Sequence, residues 1–227
     1  MNMAIEFENM NRPPLIYSAE LLSKQEDLHE DLIPFLDTNG NQMFHTLRHP
    51  LIYLVPYVPA YNALLNKRYE VMSEKIKKYL QDKKYDSYIF MHERPYRLQA
   101  FLDINILLDN KDYWELLCDI WVDSENIWQN LNIWKKLLKR RSNSKHLFMS
   151  ESDKKHFDNL PDQFVVYRGY TIGKNKTGLS YTTDEIKAKW FAKRFDKNGE
   201  VRSRRIDKKD VFAYTNKRSE MEIILLK

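Results

Sequence analysis

The sequence predicts an α+β protein, with a mostly α-helical region over residues 1–150 followed by a small strand-rich region over 151–227. Three observations predict it. Of the five glycines, at 40, 169, 173, 178 and 199, four fall after residue 165, whereas an average usage of about 7% would supply roughly three times as many in all. Few tight turns with positive φ are therefore expected in the first 150 residues. Apolar residues recur at helical spacing over 61–83 and 112–141. Short runs of β-formers, FVVYR, DVFAYT and EMEIILL, gather in the last third.

The bulk numbers set limits. At 227 residues, 43% hydrophobic and 13% aromatic, the chain has enough apolar surface for a sizeable core. Its longest apolar stretch, LIYLVPYVPAY at 51–61, is too short for a bilayer and is broken by Pro56 and Pro59. The segment MNMAIEFEN lacks the basic, apolar, small-residue order of a secretory signal, and the single cysteine, Cys118, precludes an internal disulfide. A cytoplasmic protein with no membrane partner is the expectation, and an injected effector would look the same. Charge is divided: residues 1–150 carry 19 Lys+Arg against 20 Asp+Glu, whereas 151–227 carry 18 against 12. The net +5 is thus a C-terminal property. It favours an anionic partner, whether a dinucleotide, a nucleic acid or an acidic protein surface, and it is equally what a solvated basic face would give.

Along the N-terminal region, YNALLNKRYEVMSEKIKKYLQDK places Leu64 or Leu65, Tyr69, Met72, Ile76 and Tyr79 or Leu80 on one helical face with lysines opposite. The stretch 112–141 does the same through Trp114, Leu117, Trp121, Trp128, Leu131, Trp134 and Leu138, and Asp123 or Ser124 is placed to cap a second segment inside it. Four tryptophans at i, i+3 and i+7 spacing read as core rather than a stacking platform, because indoles supply large apolar burial. His45 and His49 stand four apart, but no HExxH pattern accompanies them and Pro50 follows at once, so no metal is expected.

Past residue 150 the pattern changes. FVVYR is entered from the turn-like LPDQ; YTIGKNKTG is a loop and LSYTT a short extended piece. DEIKAKWFAKRF is a helix starting near Asp184, with Ile186, Ala188, Trp190, Phe191, Ala192 and Phe195 as its apolar side. In EMEIILL a strand sends alternate residues to opposite faces, so Glu220 and Glu222 are expected together, with Met221, Ile223 and Leu225 opposite. Two like charges side by side call for a reason beyond folding.

Two further polar positions on strand edges keep company with that pair: Arg168 before Gly169, and Ser180 with Thr182 in LSYTT. Singly, each has a plain reading as a surface cation, a turn hydroxyl or a solvated strand edge. In this order, VVYRG, GLSYTTDEIKAKWFAKRF and VFAYTNKRSEMEII, they resemble the Arg-Ser-Glu class of mono-ADP-ribosyltransferases, which includes the arginine-modifying bacterial toxins. The resemblance covers residues 164–226, less than a third of the chain. Ser180, Tyr181 and Thr182 stand where the class usually has Ser-Thr-Ser, and only twelve residues separate Arg168 from Ser180.

The resemblance implies a split β-sheet catalytic domain with its core in 151–227, the helices of 1–150 recognising a target or a regulator such as an antitoxin. NAD is the implied co-substrate, and no metal is called for. Glu222 would accept a hydrogen bond from a nicotinamide-ribose hydroxyl and face the positive charge that grows on the sugar as the glycosidic bond breaks. Ser180 would orient that carboxylate and Arg168 would hold the diphosphate. Gly169 would offer its backbone to the nicotinamide amide, with Thr182 nearby. Tyr181 and Phe191, with Tyr170, are candidates to stack on the nicotinamide, or they are core. Glu220 would face the acceptor, an arginine of a target protein. The same chemistry on RNA or DNA, and a non-catalytic binding module built on a degenerate transferase domain, are the alternatives. A toxin or phage effector is the implied biological class.

Overall fold

The computed structural model describes residues 19–38, 45–125, 127–173, 175–194 and 197–226. MNMAIEFEN and Phe195 lie outside the described residues. The fold is mixed helix and strand with two small antiparallel sheets, and the chain forms two compact units, 1–107 and 108–227.

The first unit is less helical than its glycine-poor sequence predicts. After the short α1 (Ala19–Ser23), β1 (Leu36–Asp37), β2 (His45–His49) and β3 (Tyr53–Tyr57) form an antiparallel meander in the order β1-β2-β3. Pro56 escapes conflict with the ladder because β3 is an edge strand. Leu32, Leu47, Ile52 and Leu65 are buried together under Phe35, Val55 and Tyr57. Leu65 belongs to α2 (Asn62–Gln81), the first helix expected from apolar spacing; α3 (Tyr85–Phe90) and α4 (Arg97–Ile104) follow. His45 and His49 share β2, but His45 is exposed while His49 is buried with its Nδ1 accepting from the Leu51 N–H at 3.1 Å. Among the described residues no group of three or more His, Cys, Asp or Glu is arranged to hold a metal, and no helix is long and apolar enough to cross a membrane.

The second unit begins earlier than residue 151. Its first helix, α5 (Asn110–Asp123), is capped by Asp109, whose carboxylate accepts from the Asp112 N–H at 2.8 Å. Trp114 of α5 meets Phe148 and Phe212 at centroid distances of 6.2 and 5.8 Å, which ties residues 108–150 to the C-terminal strands rather than to the N-terminal region. Ser124 does not start a second helix: its hydroxyl donates back to the Ile120 carbonyl at 2.7 Å and closes α5. A 3₁₀ turn at Ile127–Asn130 leads to α6 (Leu131–Lys139), whose Trp134 packs edge-on to Trp121 at 5.1 Å.

Then come α7 (Glu151–Asp158), β4 (Gln163–Tyr170), β5 (Ser180–Thr182), α8 (Glu185–Lys193), β6 (Glu200–Asp207), β7 (Val211–Thr215) and β8 (Glu222–Leu225). The five strands form one antiparallel sheet in the order β6-β4-β5-β8-β7. Strand β6 is a surprise from EVRSRRID, whose charges show neither a β-former run nor clean alternation; it is tolerated because it is an edge paired along its whole length with β4. Val166, Tyr181, Ile206, Val211, Tyr214, Ile223 and Leu225 make the core, closed by Met149, Phe157, Leu160 and Phe164. Helix α8 lies against β4 because Gly169 has no Cβ: one added there would collide with the Ala188 carbonyl and the Ala192 N–H.

Candidate functional site

Strands β4 and β5 pair only at Tyr167↔Thr182. Beyond that register β4 keeps to β6 while the chain leaves for the 171–179 loop, so the sheet opens into a cleft. The cleft holds about 180 Å³ and is lined by Arg168, Gly169, Tyr170, Ser180, Phe191, Glu220 and Glu222, with Trp121, Ser124 and Trp128 on the helical side. All of these belong to the second unit.

Glu222 opens β8 opposite Thr182, one diagonal step from Ser180 across the ladder. Its residue is 8% exposed although it lines the cleft. The Trp121 indole Nε1 donates to Oε1 at 3.1 Å, and the Ser180 hydroxyl is a second hydrogen-bond partner. Burial raises the carboxyl to about 7, against the lowering by Ser180 and Trp121; Glu220 adds to the rise and Arg218 opposes it. This is a carboxyl held in place by two donors and kept near the point of ionisation.

Glu220 lines the same cleft by a different route from the one strand parity predicts. Strand β8 starts only at Glu222, and Ser219 and Met221 have φ of 55° and 45°. The two glutamates are separated by a left-handed residue, not by one step of a strand. The turn is fastened by the Ser219 N–H to the Asn216 carbonyl at 2.9 Å, by the Met221 N–H to Asn216 Oδ1 at 3.0 Å, and by the Thr182 hydroxyl to the Glu220 carbonyl at 2.7 Å. Thr182 also accepts from the Asp184 N–H at 3.0 Å, so its hydroxyl serves the turn and the helix start instead of a ligand.

Arg168 is half-buried beneath the 171–179 loop. Its Nε and Nη2 donate to the Asn175 carbonyl at 3.2 and 3.1 Å, and Nη1 donates to the Ser180 carbonyl at 2.6 Å. Three of the five guanidinium N–H groups are thereby used in holding the loop against β5, and two remain. Burial draws the group below its ordinary value, while Tyr181 and Glu222 act in the opposite sense. Gly178 makes the arrangement possible, since a Cβ there would overlap Nη2 and Cζ of Arg168.

Gly169 differs from its expected part: its missing Cβ is used by α8, though the residue still lines the cleft. Tyr181 packs into the core opposite Ile223, and it also lines the cleft. Phe191 is half-buried at the cleft wall, and Tyr170 lines it with its hydroxyl bonded to Glu200. Sequence reasoning missed Trp121 and Arg218 as site residues; the helical spacing of Trp121 correctly signalled burial, and nothing in that spacing signals an indole N–H turned to a carboxylate. Chemically, the cleft offers one poised buried carboxyl, a second carboxyl beside it, a guanidinium with spare donors and an aromatic wall. Compared with family models, with curated proteins and with solved structures, the chain has no match.

Proposed function

We propose that the chain is an NAD-dependent mono-ADP-ribosyltransferase that moves ADP-ribose to an arginine of a target protein and releases nicotinamide. The observation that carries the reading is the Glu222 carboxyl, buried at the base of a cleft yet held there by Ser180 and Trp121. Loss of nicotinamide builds positive charge on the ribose, and a fixed anion in a site of low polarity stabilises that charge more in the transition state than in the ground state. Ser180 and Trp121 set the carboxylate's direction, so little reorganisation accompanies charge development. Glu220, one turn residue away, steers the acceptor guanidinium and takes its proton. A cleft of about 180 Å³ is smaller than the roughly 300–1,000 Å³ of pockets that enclose a drug-sized ligand. It suits the nicotinamide-ribose end of the dinucleotide, with the diphosphate towards the spare N–H groups of Arg168.

The test is nicotinamide release from NAD by the purified chain, with and without a small guanidine such as agmatine as acceptor. Glu222→Gln is expected to lower release by at least 100-fold; an unchanged rate would overturn the proposal. RNA or DNA as acceptor is a second reading, favoured by the groove beside the cleft, whose lining includes Lys135, Arg202 and Arg204. It predicts a labelled product destroyed by nuclease and not by protease, and a steep loss of labelling with salt.

A further inference from the structure

A second pocket lies wholly within the first unit, lined by α2, α4 and the end of β2. It encloses about 440 Å³, within the roughly 300–1,000 Å³ of pockets that take small ligands. Its most buried polar residues are His49 and His92, 7% and 9% exposed. The backbone fixes the proton on each ring. His49 Nδ1 accepts from the Leu51 N–H at 3.1 Å, so the neutral ring carries its proton on Nε2. His92 Nδ1 lies 2.8 Å from the Tyr88 carbonyl, which only accepts, so Nδ1 holds the proton and Nε2 a lone pair. Burial keeps both rings neutral at pH 7: it lowers His92 below the ordinary imidazole value and His49 to about 4, where a charge on His92 adds to the lowering. Neither Nε2 is hydrogen-bonded among the described residues, and among them no third ligand joins the two histidines as a metal site.

Two uncharged groups of opposite sense therefore serve the pocket, an N–H donor on His49 and an acceptor on His92. Buried polar atoms without partners cost free energy, which a ligand of matching pattern recovers. The matching pattern, a C=O beside an N–H, is an amide edge. Tyr69 and Tyr96 add half-buried aromatic surface. Tyr69 stands edge-on to His49 at 5.2 Å and its hydroxyl donates to Asp31 at 2.6 Å, so this wall is set before a ligand enters. Among the charged lining residues Asp31 and Asp103 outnumber Lys77, and all three are exposed, which disfavours a phosphate or a carboxylate. We propose that this pocket binds a flat, uncharged ring with an amide edge, the chemistry shared by a lactam nucleoside and an aromatic carboxamide. The ligand carbonyl accepts from His49 Nε2 and the ligand N–H donates to His92 Nε2. The site is separate from the cleft of the second unit, and the inference is independent of the transferase reading.

The experiment titrates the full nitrogen-15-labelled chain at pH 7 with uridine and with nicotinamide, and follows the imidazole nitrogens by NMR. Each amide is paired with a compound that keeps the ring and a carbonyl but lacks the N–H: 3-methyluridine for uridine, nicotinate for nicotinamide. The expected result is saturable movement of the Nε2 signals of both His49 and His92 with at least one amide. Its partner without the N–H should bind at least tenfold more weakly, because the lone pair of His92 is then left unmatched. The amide that binds more tightly identifies the source as nucleoside or carboxamide. Failure of both amides to move the two Nε2 signals would overturn the inference, and so would equal affinity for an amide and its partner. Nicotinamide and uridine that move only signals of residues lining the cleft would likewise overturn it and leave the transferase reading standing. Both Nε2 signals moving as expected in a chain that releases no nicotinamide from NAD would support this inference and overturn the transferase reading alone.

Discussion

At the scale of single residues the cleft turns on how one carboxyl is kept both buried and ionisable. Desolvation alone would drive Glu222 neutral, and its two donors pull it back to about 7. Removing a donor should therefore move the titration in a known direction. Trp121→Phe keeps the ring and deletes the N–H, so the carboxyl should rise further, by about 1 unit if the lost bond resembles other hydrogen bonds to charged groups, at about 1.5 kcal/mol. If the anion is the working form, kcat/KM for nicotinamide release should climb with pH through about 7 in the wild type and through a higher pH in Trp121→Phe. Identical pH profiles would show that the indole does not tune the carboxyl. The role of Trp121 was not legible in the sequence, because a core tryptophan and a positioning tryptophan share the same spacing. Arg168, Ser180 and Glu222 were legible because their chemistry is unusual on strands that otherwise carry β-formers.

Elements make the cleft by where they fail to pair. Strand β4 is bonded to β6 over its whole length and touches β5 at one register position, so the 171–179 loop must be held down by side chains. Arg168 does this, and Gly178 leaves it the room. Gly178→Ala should push the guanidinium out of that seat and free the loop with a small effect on melting temperature, and on the proposed transferase function it should weaken NAD binding at least tenfold. Gly169→Ala acts on packing instead: its Cβ strikes backbone of α8, which cannot rotate away, so a stability loss of about 1–3 kcal/mol is expected. Calorimetry separates the two, and equal losses of stability would contradict the division of roles. The strands flanking the cleft were readable from FVVYR, LSYTT and EMEIILL. Edge strands β3 and β6 were not, since Pro56 and the charges of EVRSRRID are signals of an edge rather than of a strand. The left-handed Ser219 and Met221 were equally hidden, because neither residue type announces positive φ.

At the scale of the whole molecule, the border at 107/108 puts every residue lining the cleft in one unit, including the helix that the sequence reading grouped with the N-terminal region. Helical spacing revealed α5 but not its allegiance, which is decided by aromatic partners more than thirty residues away, such as Phe148 and Phe212. The two units also carry opposite pH liabilities. In the second unit the folded Glu222 holds its proton to about 7 against an ordinary value near 4.5, so its contribution to stability is complete below about 4.5 and is lost as pH rises through 7. In the first unit burial, with the neighbouring His92, lowers His49 from 6.5 to about 4, so its contribution is complete above about 6.5 and is lost as pH falls towards 4. Each amounts to on the order of 1–3 kcal/mol. All five tryptophans lie after residue 107, so tryptophan fluorescence follows the second unit alone while far-ultraviolet circular dichroism follows both. Between pH 8 and pH 5 the fluorescence midpoint for thermal unfolding should rise, while a separate dichroism transition, silent in fluorescence, should fall. Glu222→Gln should flatten the first trend and leave the second in place. A single transition shared by both probes at every pH would mean that the units unfold as one, and that neither group sets the pH dependence of its own half.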